Sequence, residues 1–170
     1  MLNNRAPFSP PEGYDLTYDL NSERVKAAEW VKIKFNLEAD VDLLGPVDLV
    51  NDAYLRRGLE LWEVGLYDEA RGEFEVLRLQ AQNDPARTFR LANLFLDLGA
   101  YRPAIMAARQ VLNLAGMDDA GTLGAPGYFS HIRFGTYYSD LVLPLAQEYD
   151  IHPLFLFSLI RQESLFEGFV

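Results

Sequence analysis

Apolar residues recur at helical spacing in several segments of the chain, and each of these segments predicts an α-helix. The first runs from Ser22 to Leu37, where Ser22 is placed to cap the start of the helix. Two more lie near the C-terminus, at 138–149 and 154–160. Pro144 should kink the earlier one or mark a late start, whereas Pro153 suits the first turn of the later one. These patterns predict an all-α fold.

The middle of the chain repeats its own pattern with a period of 34 residues. Three residues return at this spacing, Gly65, Tyr67 and Ala70 recurring as Gly99, Tyr101 and Ala104. Each glycine is expected to end a helix, and Asn83-Asp84-Pro85 offers the polar cap and the proline that begin a second unit. Because 34 residues is the length of a tetratricopeptide unit, residues 51–118 resemble two tetratricopeptide-like helical hairpins of a superhelical array.

Composition suggests how the rest of the chain is divided. Residues 1–50 combine an irregular, proline-containing segment with the first helix. Residues 119–136 contain Gly121, Gly124, Pro126 and Gly127, a composition typical of a linker. Residues 137–170 are then expected to form a separate unit.

Charge and residue usage narrow the possible functions. The formal net charge of −10 disfavours a nucleic-acid partner, because phosphate binding needs a basic surface. The absence of cysteine excludes disulfides, thiolate metal sites and cysteine nucleophiles. The two histidines, His131 and His152, lack metal-binding spacing, so neither a metal nor another cofactor is expected. His131 and Arg133 are expected at the surface, and no apolar run is long enough for a transmembrane segment.

A glutamate closely follows the most apolar stretch of the chain. Residues 154–160 are apolar almost all round, which predicts burial, and Arg161-Gln162-Glu163-Ser164 comes next. Glu163 shares a helical face with Leu159 and Ile160. Such a carboxylate lies either at the edge of its domain, solvated or paired with an arginine, or in a partly dry pocket. In a pocket, desolvation would raise its pKa and suit it to act as a general acid in glycosidic cleavage.

The C-terminal segment is similar to the start of a known catalytic domain. Three runs carry the similarity: Tyr138-Ser139-Asp140-Leu141-Val142, Ala146-Gln147-Glu148-Tyr149-Asp150-Ile151-His152-Pro153 and Leu159-Ile160-Arg161-Gln162-Glu163-Ser164-Leu165-Phe166. They resemble the opening of the catalytic domain of the soluble lytic transglycosylases, where an apolar helix ends in isoleucine-arginine-glutamine-glutamate-serine. Larger enzymes of this family carry a helical-repeat domain before a lysozyme-like catalytic domain. The resemblance implies that residues 137–170 are the first helices of that lysozyme-like domain.

The resemblance also implies a reaction and the residues that perform it. Glu163 would be the catalytic acid for the β-1,4 bond between N-acetylmuramic acid and N-acetylglucosamine, and would then deprotonate the muramoyl 6-hydroxyl so that a 1,6-anhydro ring forms. Ser164 would bind the substrate or orient Glu163. One glutamate suffices in this scheme, so Glu167 is expected to be structural or solvated. The implied partner is the glycan strand of peptidoglycan, and the parent enzyme would work in the bacterial cell envelope.

The family's later elements have no counterpart in this chain. A glycine-leucine-methionine-glutamine motif and further groove residues are expected after Glu163, and the sequence stops at Val170. We therefore expect a truncated chain with little activity of its own and no signal or anchor, whose apolar helix 154–160 is free to self-associate. The alternative is a tetratricopeptide-like interaction module without catalysis, in which residues 154–160 cap the repeats. A complete small enzyme is the third interpretation.

Overall fold

The computed structural model describes residues 18–168, and this part of the chain contains helices and no strands. The eight α-helices are α1 (Leu20–Lys34), α2 (Ala53–Glu63), α3 (Tyr67–Gln80), α4 (Pro85–Asp97), α5 (Tyr101–Leu114), α6 (Gly127–Arg133), α7 (Ser139–Glu148) and α8 (Pro153–Ser164). Two short 3-10 helices, Val47–Asn51 and Gly121–Gly124, lie between them. The predicted all-α fold is confirmed. Most of the irregular segment predicted before the first helix lies outside the described residues.

Helix α1 is capped by Asp19 and not by Ser22. The Asp19 carboxylate accepts hydrogen bonds from the backbone N–H groups of Asn21 at 3.0 Å and Ser22 at 3.4 Å. The Ser22 hydroxyl also donates to it at 2.7 Å, and these bonds, those from Ser22 first, lower the pKa of Asp19. The predicted cap is wrong because a carboxylate three residues upstream is a charged acceptor that already serves the unpaired N–H groups of the first turn.

Helices α2 and α3 pack together across a short turn, and α4 and α5 do the same. The turns contain Gly65 (φ 80°) and Gly99 (φ 76°), in the left-handed region that glycine adopts without strain. The predicted helix ends at these glycines are therefore confirmed. Asp84 caps α4 as predicted, accepting the Arg87 backbone N–H at 2.9 Å, and Pro85 is the first residue of the helix. The tetratricopeptide resemblance of the two hairpins stays a prediction.

Small residues determine how closely the hairpin helices approach. Phe74 of α3 and Phe95 of α4 are fully buried, with ring centroids 4.9 Å apart. Gly58 of α2 faces Phe74 so closely that an added Cβ would lie 2.5 Å from the ring. Ala92 occupies the equivalent position of the second hairpin and is fully buried. The spacing of α2 and α3 therefore depends on the missing side chain of Gly58.

Part of the predicted linker 119–136 belongs to the core. Helix α6 packs on α1 and α5 and buries Tyr128, Phe129 and Ile132. The Tyr128 hydroxyl donates to Asn93 Oδ1 at 2.7 Å and accepts from Arg24 Nε at 3.1 Å. The linker prediction does not hold for this helix, because the glycines that suggested it come before α6 or begin it.

The expected surface position of Arg133 is wrong. Its side chain is 7% exposed at the end of α6, with Nη2 3.7 Å from Asp119 and the guanidinium over the Phe134 ring. Burial, with Arg109 and Arg161 nearby, lowers the pKa of Arg133. His131 is half-buried, with Nδ1 2.7 Å from Glu23 Oε2. The burial of Arg133 and the contact of His131 with Glu23 both follow from the packing of α6, which involves residues far apart in the sequence.

Helices α7 and α8 pack against each other at the C-terminal end. Helix α7 begins at Ser139 and continues through Pro144, so the alternative of a late start is wrong. Helix α8 begins at Pro153 and buries Phe157, but Phe155 is 61% exposed. The predicted burial of the whole apolar stretch is therefore wrong for one side of α8. Of the helices described between residues 18 and 168, none is long and apolar enough to cross a membrane.

Candidate functional site

The sequence that resembles the transglycosylase motif closes helix α8. The helix ends at Ser164, and the next two residues, Leu165 (φ 51°) and Phe166 (φ 64°), both have left-handed backbone angles. Two consecutive residues in this conformation stop the helix and redirect the chain. Phe166 is buried after this turn, whereas Glu163 is exposed in the last turn of the helix.

The Glu163 carboxylate faces solvent without a partner in the described chain. Within residues 18–168 it forms no hydrogen bond or ion pair. Of the two positions left open by the sequence, its surroundings match the solvated edge and not the partly dry pocket. Both carboxylate oxygens are consequently available to a molecule that approaches from solvent.

Ser164 uses its hydroxyl inside the helix. Its Oγ donates to the Ile160 carbonyl at 3.1 Å, and the side chain is half-buried. The oxygen keeps its lone pairs, so Ser164 can still accept a hydrogen bond while it is held in this position. Its hydroxyl does not contact Glu163 in this arrangement, since it points back along α8.

Arg161 fastens the last turn of α8 to helix α6. Its Nε donates to the Arg133 carbonyl at 2.6 Å, and its guanidinium lies 4.5 Å from the centre of the Phe134 ring. Burial lowers the pKa of Arg161. Arg161 was not predicted as a site residue, although its position two residues before Glu163 in the motif was a usable signal. The contact fixes the helix end that carries Glu163.

Glu167 is structural, which resolves the two alternatives that the sequence left open for it. Its side chain is 4% exposed, and Oε2 lies 3.0 Å from Arg71 and 3.4 Å from Arg102. These ion pairs connect the C-terminal end to α3 and α5. Its other oxygen, Oε1, is buried with no hydrogen-bond partner among the described residues. Nothing in the sequence pattern indicated Arg71 or Arg102 as its partners, because they lie 96 and 65 positions away.

A cavity of about 550 Å³ lies where the two hairpins meet the C-terminal helices. Its lining comprises Trp62, Tyr67, Arg71, Gly99, Ala100, Tyr101, Arg102, Pro103, Tyr138, Leu141, Val142, Ile160, Phe166, Glu167 and Gly168. Neither Glu163 nor Ser164 is part of this lining. The two predicted site residues therefore lie at the end of α8, and the cavity is a separate feature whose lining residues were not predicted to form a site.

The histidines stand apart from both features. His152 occupies the capping position before α8, where its side chain makes no capping hydrogen bond. His131 pairs with Glu23 and stacks on Tyr18, with ring centroids 3.8 Å apart. In the described part of the chain, no group of three or more histidine and acidic side chains could hold a metal ion.

Comparisons with protein-family models, with curated proteins and with solved structures found no match to this chain.

Proposed function

We propose that this chain carries the catalytic acid of a peptidoglycan lytic transglycosylase, and that Glu163 is that acid. The observation that carries the proposal is the sequence Leu159–Phe166, which ends an apolar helix with a glutamate exposed in its last turn. The proposal concerns the parent enzyme, in which this chain supplies the helical repeats and the first catalytic helices.

Protonated Glu163 would donate its proton to the glycosidic oxygen between N-acetylmuramic acid and N-acetylglucosamine. As the bond from C1 to that oxygen breaks, positive charge develops at C1 of the muramoyl residue. The Glu163 carboxylate then takes the proton of the muramoyl 6-hydroxyl, and O6 forms a new bond to C1. The enzyme ends in its starting protonation state, and the product is a 1,6-anhydro sugar.

Three features of the site support this chemistry. Glu163 has no ion-pair partner in the described chain, so a bound glycan that covers this exposed carboxylate would desolvate it without displacing a partner. Arg161 anchors the end of α8 through the Arg133 carbonyl, which limits movement of the acid. Glu167 is held by two arginines and is not free to serve as a second catalytic carboxylate, in keeping with a one-glutamate scheme.

Zymography on purified cell walls with the product of the complete gene tests the proposal. The lytic activity of the Glu163→Gln variant should be at least ~100-fold lower than that of the unmodified protein, because general acid catalysis typically contributes a rate factor of 10²–10⁴. The control is Glu148→Gln, which changes another exposed glutamate, on α7, and should leave the activity unchanged. Mass spectrometry should find 1,6-anhydro ends among the products. Equal lysis by the unmodified protein and Glu163→Gln would remove Glu163 from the mechanism and favour the interaction-module alternative.

A further inference from the structure

The lining of the cavity between the hairpins and the C-terminal helices includes five aromatic side chains, those of Trp62, Tyr67, Tyr101, Tyr138 and Phe166. The rings hold one another in place. Trp62 and Tyr67 meet edge to face with centroids 4.7 Å apart, and Tyr101 and Tyr138 do so at 5.4 Å. Tyr101 is also stacked on Tyr137 at 3.9 Å. The cavity therefore presents ordered aromatic surfaces before any ligand enters.

Charges around the cavity balance each other. In the lining, Arg71 and Arg102 share the Glu167 carboxylate, and Arg71 also pairs at 2.9 Å with Asp68, which lies outside the lining. Two positive and two negative side chains thus form one connected group. A strongly anionic ligand would be repelled by Glu167, and a cationic ligand would be repelled by the two arginines. The arrangement favours a ligand without net charge.

Polar groups at the wall can both donate to such a ligand and accept from it. The Arg102 side chain is 44% exposed and uses Nη1 for a long contact of 3.4 Å to Glu167, which leaves further N–H donors. Glu167 is part of the lining, and its Oε1 is a buried acceptor with no hydrogen-bond partner among the described residues. The hydroxyl groups of a ligand can complement both side chains, because each hydroxyl can donate a hydrogen bond and accept one.

We propose that this cavity binds a neutral saccharide, with sugar C–H faces on the aromatic rings and sugar hydroxyls on Arg102 and Glu167. A volume of about 550 Å³ is within the range of small-molecule sites. The cavity would hold a part of the glycan away from the bond that is cut, because Glu163 is not in its lining. The choice of an N-acetylated glycan as the ligand, and the position of the cavity relative to the bond that is cut, rest on the proposed function.

Fluorescence of Trp62 reports directly on the cavity. The chain has two tryptophans, and Trp30 packs on Phe129 between α1 and α6, outside the cavity lining. The Trp30→Phe variant therefore leaves Trp62 as the single reporter. Titration with tetra-N-acetylchitotetraose should change its emission saturably. Isothermal titration calorimetry on the unmodified protein provides the same affinity if this variant folds poorly.

Two pairs of substitutions locate the binding site. Arg102→Gln and Tyr138→Leu, both in the lining, should each weaken binding at least tenfold. Arg57→Gln changes an arginine of similar exposure that pairs with Glu73, and Tyr149→Leu changes an exposed tyrosine after α7. Both controls should bind within twofold of the unmodified protein, with helical content checked by circular dichroism.

Several results would overturn the proposal. They are a lack of saturable binding up to millimolar sugar, equal weakening by the lining and control variants, and saturable binding of phosphate or tetramethylammonium without binding of the sugar. Glu163→Gln should bind the sugar as tightly as the unmodified protein. If that variant keeps full lytic activity and sugar binding persists, only the proposed function fails. If it loses lysis and the cavity binds no sugar, only the cavity proposal fails.

Discussion

Replacement of Gly58 by alanine tests how closely α2 and α3 pack. An added Cβ at this position would lie 2.5 Å from Cε1 and 2.8 Å from Cδ1 of Phe74. The Phe74 ring is fully buried and is backed by Phe95 at 4.9 Å and Trp62 at 6.0 Å, so it has little room to move away. Overpacking of this kind costs ~1–3 kcal/mol, and the tight ring contacts place this site near the upper end. Alanine has a higher helix propensity than glycine, and this difference offsets ~1 kcal/mol of the overpacking cost.

The expected net loss for Gly58→Ala is therefore about 2 kcal/mol of unfolding free energy. For a chain of this size, that loss lowers the Tm by roughly 4–8 °C. Gly72→Ala is the matched control, because Gly72 lies in α3, is exposed and has no atom within 4 Å of an added Cβ. Only the propensity gain applies there, so stability should rise by ~0.5–1 kcal/mol.

Urea denaturation followed by circular dichroism at 222 nm measures both differences. Changes of opposite sign in the unfolding free energies of the two variants would confirm that contact with Phe74, and not glycine replacement itself, decides the outcome. A Gly58→Ala protein as stable as the unmodified one would refute the packing of α2 on α3 described above. A loss of the same size in Gly72→Ala would also contradict the reasoning, since that site has space for the methyl group.

Three further predictions concern turns, pH and association. Gly65→Ala and Gly99→Ala should each cost ~1–2 kcal/mol in urea melts, because both residues have left-handed φ angles, and an unchanged midpoint would contradict this. Burial raises the pKa of Tyr128 to about 12, so the stability that its protonated form contributes is complete below pH 10 and is lost as the pH rises to about 12. Tyr128→Phe should make this loss of stability at high pH shallower. It should not abolish the loss, because burial also raises the pKa of Tyr137. An unchanged slope would exclude Tyr128 as a source of the loss. Phe155→Lys should shift sedimentation velocity profiles toward monomer if the exposed side of α8 self-associates, and a monomeric unmodified protein at all concentrations would refute association.

The helix boundaries of the hairpins were predictable from sequence because their causes are local. A glycine at 65 or 99 can adopt a positive φ within its own turn, and Asp84-Pro85 caps and begins α4 through contacts over three residues. The helix predicted at 154–160 is present but continues to Ser164, and it ends at the left-handed backbone of Leu165 and Phe166, which no local residue preference indicated. The cap of α1 was misassigned because Asp19 and Ser22 are both suitable cap residues, and the sequence pattern alone did not rank them.

Tertiary structure decided the features that depend on distant residues. Helix α6 is too short and too rich in flanking glycine to stand out by periodicity, and its burial comes from packing on α1 and α5. Glu167 becomes a buried ion-pair partner only because the backbone turn after α8 brings it to Arg71 and Arg102. The aromatic cavity has the same origin, since its walls come from helices distant in sequence. Local patterns thus determined where the longer helices lie, whereas the burial of α6 and the solvation of each charged side chain were set by long-range packing.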